Sequence, residues 1–508
     1  MITGAKAGIF KLKAFIANHN SLEPSTTYEA LSDPKWKAAM QAEYDALMKN
    51  NTWSLVPISS SYKPVGCKWI FRTKYNTDGS ISKYKARLVA KGFHQTASIN
   101  YSETFSLVIK SSTVRVILSL AVMKEWKVRQ IDVNNAFLNG ELSEDVYMTQ
   151  PEGFESKKGY ICKLNKALYG LKQAPKAWYE KFKGCLTDWQ FINSKADTFL
   201  FIKHDTRGLI IVLIYVDDIL ITSPDSDLLE VFITKLSTVF ALKDLGLVAY
   251  FLLVEVCYTA QGMHLSQTKY IKDLLSRASM QNSKGSDTPF SIGFKLERAV
   301  QGSLGQEFED PILYRSLVGG LQYLILTRPD IAYSIHKLSQ YLSAPTLQHW
   351  LACKKVLKYL QATITYGLHI QKEGILKTVG LTGYSYADWA CDVDDRKSIG
   401  AYCIYLGNNI ISWSSKKQPI VAKSSTESEY RALSSTSSEL SWLQSLFSEL
   451  KIMKLPPPVL WCDNQRAGDL ARNPVFHSKS KHIELDVHYI RDNVLKKELE
   501  IRYIPTEE

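Results

Sequence analysis

Eight apolar residues in a row, LIIVLIYV at 209–216, run straight into Asp217-Asp218, and Ile219-Leu220-Ile221 follow. The run is far short of the ~20 residues that a membrane span needs. It predicts a hairpin of buried strands with two adjacent carboxylates at its tip. Like charges held that close repel each other and raise a pKa unless a cation sits beside them. The dipeptide alone fits a solvated Asp-Asp turn equally well.

A third acid narrows the choice. Asp132 ends the predicted strand WKVRQIDV and is followed by NNAFLNG. Carboxylates from separate strands can hold two divalent ions for nucleotidyl transfer, one activating an attacking hydroxyl and the other stabilising a leaving pyrophosphate. Phosphoryl transfer asks mainly for positioning and charge neutralisation, which three convergent acids supply. The charge balance agrees, with 62 basic against 50 acidic residues, a net +12 and a pI near 9.0. A basic surface recruits polyanions by counterion release.

At 508 residues the chain is too long for one domain, and two to four units are expected. The leader 1–30 reads as irregular. A helix is predicted from Asp33-Pro34, with Trp36, Met40, Tyr44 and Leu47 at helical spacing. KWIFRTKY and YKARLVAKG, around the turn signal Thr77-Asp78-Gly79-Ser80, predict a basic hairpin over about 65–93. Lys85 and Arg87 share one face of it. Helical patterns are expected to dominate 246–375, and strands followed by helix–strand alternation from 380 onward predict a small α/β domain. Eight cysteines without a C-x-x-C pair argue against a zinc module or a secreted disulfide framework. MITGAKAGIFKLKAF does not read as a signal peptide. An intracellular soluble protein is expected.

Tyr215-Val216-Asp217-Asp218 resembles the catalytic box of reverse transcriptases, and Asp132-Val133-Asn134-Asn135-Ala136-Phe137-Leu138-Asn139-Gly140 resembles the first aspartate motif of the copia class. WKAAMQAEYDAL, NTWSLVP, YKARLVAKGF, YSETFSLV, LYGLKQAPKAWY, TRPDI, ISWSSKKQ, SSTESEYRAL and SKSKHIELDVHYIRD extend the likeness over almost the whole chain. The chain is thus similar to the reverse transcriptase and ribonuclease H portion of copia-type (pseudovirus) LTR retrotransposon Pol polyproteins. The resemblance implies an α+β multidomain protein, a right-hand polymerase followed by a connection region and an RNase H-like α/β domain. Fingers and palm would occupy 31–245, thumb and connection 246–375, and the RNase H-like domain 376–508. It implies RNA-directed DNA polymerase activity, with Asp132, Asp217 and Asp218 as catalytic metal ligands for Mg²⁺, or Mn²⁺. Lys85 and Arg87 would meet the incoming triphosphate, Phe137 would act as the gate that selects deoxynucleotides, and Gln173 would line the nucleotide pocket. Implied partners are an RNA template, a DNA primer, RNA–DNA hybrid and dNTPs, with no membrane partner. The implied location is a cytoplasmic virus-like particle, or the nucleus.

The same resemblance places ribonuclease H acids at Glu429 and Asp463. Thr426-x-x-Glu429 also fits a helix capping box. The family's first-strand acid falls at Tyr386, in Tyr384-Ser385-Tyr386-Ala387-Asp388-Trp389. Asp388 shares that strand face but lies roughly 6.6 Å further along, more than metal bonds of about 2.1 Å absorb. The chain stops at Ile504-Pro505-Thr506-Glu507-Glu508, before the family's fourth acid is expected. The remnant Asp388, Glu429 and Asp463 is therefore expected to be a crippled nuclease site in a truncated domain. His477, His482 and His488 fit no common zinc spacing. Leu253, Leu107 and Gly4 depart from a family glycine, proline and arginine. These lesions keep open a catalytically inert nucleic-acid-binding relic. An RNA-dependent RNA polymerase is the third reading, opposed by Phe137 and by the Tyr-Val context of the aspartate pair.

Overall fold

The computed structural model describes residues 23–75, 80–96, 100–101, 109–291, 293–298, 306–372, 379–472 and 484–505. The turn residues 76–79, Leu107, Gly4, His477 and His482 lie outside that set. A short helix, Thr27–Ser32, falls partly inside the stretch 1–30 that the sequence reads as irregular, closed by a capping box between Thr26 and Glu29. Helix α1 (Pro34–Lys49) starts where Asp33-Pro34 predicts: Asp33 accepts from Lys35 N, and proline occupies the first turn, where its missing N–H is not needed. Trp36, Met40 and Leu47 are buried along it. Trp36 sits edge-on to Phe71 and Tyr84, which belong to the basic hairpin β1 (Cys67–Tyr75) and β2 (Ile81–Ala90). Burial alternates along β2, with Ala86, Leu88 and Ala90 inward, so Lys85 and Arg87 share the other face.

Helix α2 (Ser111–Met123) is buried at every position from Ser112 to Val122, the polar Ser112, Thr113, Arg115 and Ser119 included. It lies beneath a six-stranded sheet that contains β3 (Lys127–Val133), β4 (Gly208–Tyr215) and β5 (Asp218–Ser223). β5 is flanked by β3 and β4, antiparallel to both. Leu209 to Ile214 are all buried, which is why that strand reads as one apolar run. Helix α3 (Ala174–Asp188) packs Trp178 and Phe182 against Phe240.

The predicted helical dominance of 246–375 is corrected at its two ends. Strands β6 (Tyr250–Phe251), β7 (Val254–Thr259), Gly262–Ser266 and Gly367–Gln371 form a four-stranded sheet. The apolar–polar alternation of VEVCYT has the strand period, and the helices between the ends obscure it. Those helices enclose a core of their own, built on Tyr314, Leu321, Val356 and Leu360. Within it the fully buried Arg328 pairs with Asp330 and donates to Thr363 O.

The last unit is a five-stranded sheet of β8 (Leu381–Asp388), β9 (Ile399–Leu406), β10 (Asn409–Lys417), β11 (Val459–Cys462) and β12 (Glu500–Tyr503), in the order β10-β9-β8-β11-β12. The first three strands are antiparallel, and β8-β11-β12 run parallel. Helix α4 (Ser425–Leu450) connects the two parts and covers one face. This is the small α/β domain that the sequence predicts from 380 onward. Its β10 docks on α2 through Arg115, whose Nε donates to Ile411 O at 2.7 Å and whose guanidinium lies 3.8 Å over the Trp413 ring. Among the described residues no helix is long and apolar enough to cross a membrane.

The turn between β6 and β7 has two central residues, Leu252 (φ +53°) and Leu253 (φ +65°), in a geometry that favours Asn-Gly. A left-handed conformation costs a residue with a Cβ about 1–2 kcal/mol. Leu253→Gly is expected to stabilise the chain by about 1 kcal/mol. An unchanged or lower urea midpoint would show that Leu253 carries no such strain.

Candidate active site

The aspartates meet because of strand register. Asp218 pairs with Asp132 across β5 and β3, and with Tyr215 across the β4–β5 hairpin. This leaves Val216-Asp217 as a two-residue loop, and Asp217 O accepts from Val133 N at 2.9 Å. Val216 has φ +57°, at the position where such loops prefer glycine. Its carbonyl accepts from Nε1 of the buried Trp178 at 2.6 Å, which holds the turn in place. Gln130, two residues before Asp132 on the same face, donates from Nε2 to Asp218 Oδ1 (3.2 Å) and to Tyr250 O (2.9 Å). Asp218 is thereby tied to the first strand of the β6–β7 hairpin.

Burial raises both carboxyls of the hairpin. Asp217 is pushed further up by Asp132 and restrained by Arg87 and Lys85. Asp218 rises to about 6, with Gln130 opposing the shift and Asp217 and Asp132 adding to it. The Lys85 ammonium is depressed by burial and by Arg87 and Lys74, while Glu43 and Asp132 counteract. Two cations of the β1–β2 hairpin thus act on the carboxylate rim. The three carboxylates do not come within 4.8 Å of one another as a group, and Asp218 is held by Gln130. They are hard oxygen donors of the kind that suits Mg²⁺ or Mn²⁺.

The other predicted residues fall as follows. Phe137 is buried on a 3₁₀ turn (Ala136–Asn139) directly after β3 and meets Tyr169 edge-on at 4.6 Å. Arg87 lies over the opposite partner of that contact, the Tyr169 ring, at 3.8 Å. Gln173 is buried and its amide is engaged at both ends: Oε1 accepts from Gln95 Nε2 (2.9 Å) and Nε2 donates to Asn100 O (2.7 Å). Its side chain braces the loop before α3. Sequence reasoning missed Tyr169, although the LYGLKQAP landmark contains it.

A second cluster lies in the RNase H-like domain. Among the described residues it is the one group whose ligand atoms lie within 4.8 Å of one another, and it comprises Glu429, Cys462 and Asp463. Glu429 Oε1 accepts from Ala387 N at 2.9 Å, and Oε2 is buried without a partner. Burial pushes Glu429 up to about 8, with Asp463 adding to the shift. The predicted capping box is corrected: α4 starts at Ser425, Ser424 caps it by accepting from Glu427 N, and Glu429 turns inward to β8. Asp388 does not join the group. Tyr386, half exposed, feels the charges of Asp388, Glu429 and Asp463 together. The parallel register of Ser385 with Cys462 brings Asp463 alongside it. Cys462 carried no signal in the sequence, because only the end of β11 turns Asp463 to its side.

A family model described as reverse transcriptase (RNA-dependent DNA polymerase) matches residues 50–292. The retrovirus-related Pol polyprotein from transposon RE1 of Arabidopsis thaliana is 47% identical over 513 residues, covering 100% of this chain and 34% of its own length. A putative transposon Ty5-1 protein of Saccharomyces cerevisiae is 32% identical over 305 residues, 59% of this chain and 97% of that protein. The chain belongs to the copia-type retrotransposon Pol polyproteins. It spans about a third of the length of the longer relatives that it matches. A solved foamy viral protease-reverse transcriptase in complex with double-stranded DNA is 12% identical with a TM-score of 0.46, covering 93% of this chain and 70% of that one.

Asp218 supplies a pH test of this copia-type Pol chain. Its folded pKa, about 6, lies above the ordinary aspartate value of about 4, so its stabilising contribution is present below about pH 4 and lost as pH rises through 6. In metal-free buffer Asp218→Asn is expected to be more stable than wild type at pH 7.5, with the difference closing towards pH 4. Parallel urea midpoints of the two proteins across that range would refute the shift.

Proposed function

We propose that the chain is an RNA-directed DNA polymerase that extends a DNA primer with dNTPs on RNA or DNA templates. The observation that carries this reading is the β3–β5 register, which sets Asp132 opposite Asp218 with Asp217 at the hairpin tip, facing the cations of β2. Asp132, Asp217 and Asp218 would hold Mg²⁺, or Mn²⁺, whose chemistry is activation of the primer hydroxyl and neutralisation of the leaving pyrophosphate. Lys85 and Arg87 pair with the triphosphate, a charge-assisted contact that orients it towards the rim. Phe137 presents a ring that a ribose 2′-hydroxyl would strike. Residues 31–245 act as fingers and palm, 246–375 as thumb and connection, and 376–508 as a unit that binds RNA–DNA hybrid. In that unit Tyr386 blocks the nuclease centre. The working location is a cytoplasmic particle.

A second reading, an inert nucleic-acid-binding relic, is favoured by one observation: Leu253 holds a left-handed conformation in the β6–β7 hairpin, whose first strand Gln130 links to Asp218. Primer extension on poly(rA)·oligo(dT) with Mg²⁺ separates the two. The wild type is expected to make DNA and the Asp217→Asn, Asp218→Asn double variant to lose at least about a thousand-fold. No product from either, with hybrid still bound in a salt-dependent way, would leave the relic.

The nuclease lesion has its own test. The wild type is expected to leave the RNA strand of a hybrid intact, and Tyr386→Asp, which returns a carboxylate beside Glu429 and Asp463, to cleave it in Mg²⁺. Cleavage by the wild type would show that Tyr386 does not block the site.

A further inference from the structure

A cation and two rings stand in line between the β1–β2 hairpin and the palm sheet. The Arg87 guanidinium lies 3.8 Å over the Tyr169 ring, and Phe137 meets the same ring edge-on at 4.6 Å. Arg87 comes from β2, Phe137 from the turn after β3, and Tyr169 from the segment that leads into α3. Tyr169 is therefore the one side chain that joins the two others. Arg87 Nε is buried without a hydrogen-bond partner, so the ring is a principal restraint on the guanidinium.

The position of Tyr169 is set by backbone. Ala90 N donates to Tyr169 O at 2.8 Å. Gly170 has φ +91°, and a Cβ there would lie 2.1 Å from Ala90 O; a Cβ on Gly92 would lie 2.0 Å from Gly170 O. No larger residue fits at either place, so the end of β2 and the Tyr169-Gly170 segment cross in direct main-chain contact. The ring is anchored independently of the two side chains that it touches. Asp132, Asp217 and Glu43 all act on its hydroxyl, which places it at the carboxylate rim.

We propose that Tyr169 is a positioning residue that fixes both Arg87 and Phe137, so that triphosphate pairing and sugar discrimination depend on one ring. The inference rests on the polymerase reading given above. A steric gate discriminates only if it cannot retreat, because a sub-ångström shift relieves the clash with a 2′-hydroxyl. An edge-on contact with an anchored ring denies Phe137 that retreat. Arg87 loses side-chain freedom on pairing with phosphate, and stacking on the same ring removes part of that freedom beforehand.

Single-nucleotide extension of oligo(dT) on poly(rA), with dTTP and with UTP, tests this on the full chain. Tyr169→Phe keeps the ring and is expected to hold the dTTP KM and the dTTP/UTP selectivity within about two-fold of wild type. Tyr169→Met keeps volume without a ring face and is expected to raise the dTTP KM more than it lowers kcat, with selectivity falling about ten-fold. In a Phe137→Ala background Tyr169→Met is expected to lower selectivity no further while still raising KM. Wild-type selectivity in Tyr169→Met, or an equal loss in the Phe137→Ala background, overturns the assignment. Should Tyr169→Met fail to fold, Arg87→Lys decides: it keeps the charge but loses the planar guanidinium that lies flat on the ring, and an unchanged dTTP KM overturns the assignment. An inactive wild-type chain overturns the polymerase reading itself, whereas an active one with an indifferent Tyr169→Met loses only the role of Tyr169.

Discussion

The pairing of β3 with β5 is the constraint on which the site depends. A slip of one residue would turn Asp218 to the opposite face of the sheet and break its alignment with Asp132. The register is held from three directions. The apolar strand β4 is buried on both faces and pairs with β5 through a two-residue loop. Trp178 grips the loop carbonyl, and Gln130 ties Asp218 to the neighbouring hairpin. Val216 keeps its left-handed backbone within this frame, at a cost on the order of 1–3 kcal/mol that the surrounding contacts offset. Such strain at the tip of a buried hairpin is what presents Asp217 beyond the strand ends instead of along them.

The same sheet is joined to the RNase H-like domain through α2. Arg115 is buried without a carboxylate in direct contact, and burial lowers its pKa to about 9. Its donors reach Ile411 O, Leu326 O and Ser111 Oγ, so one guanidinium bridges α2, the helical unit and β10. Ser112 adds contacts to Ser412 and Glu439, and Lys110 lies 3.8 Å over the Trp442 ring. Truncating a buried, fully bonded cation strands the carbonyls it served, and this makes the junction specific as well as tight.

How much of this was legible in the sequence follows from the range of the interactions. The buried hairpin, α1 with its Asp33 cap, and the shared face of Lys85 and Arg87 are local, and period and capping residues reveal them. Tyr169 was invisible because its role comes from two glycines that let distant segments cross, and glycine in a landmark does not say what it crosses. The partners of Gln173 are hidden for the same reason, since Gln95 and Asn100 reach its amide from a loop some seventy residues away. Glu429 fitted a capping box by spacing alone, but β8 offered its buried N–H of Ala387 and the carboxylate turned inward. The strands after residue 250 were read as part of a helical region because their partner, Gly367–Gln371, lies a hundred residues downstream.

The two acidic sites differ in what surrounds them, and this difference bears on which of them can take up cations. At the Asp132–Asp217–Asp218 rim Arg87 and Lys85 oppose the rise in Asp217, and Gln130 opposes that in Asp218, so neighbouring groups favour the charged forms. At Glu429 no cation opposes burial, and only the Ala387 N–H favours the charged form. With a pKa near 8 the group carries a proton at neutral pH. A divalent ion binding there must first displace that proton, which weakens its apparent affinity. A carboxylate at position 386 would raise the proton's hold further, yet would also supply the charge that attracts the ion in its place. Tyr386 supplies no such charge, since ionisation of its phenol is disfavoured by burial and by Asp388, Glu429 and Asp463. One chain therefore carries two acidic clusters, one with cations that favour its charged forms and one whose Glu429 favours the proton.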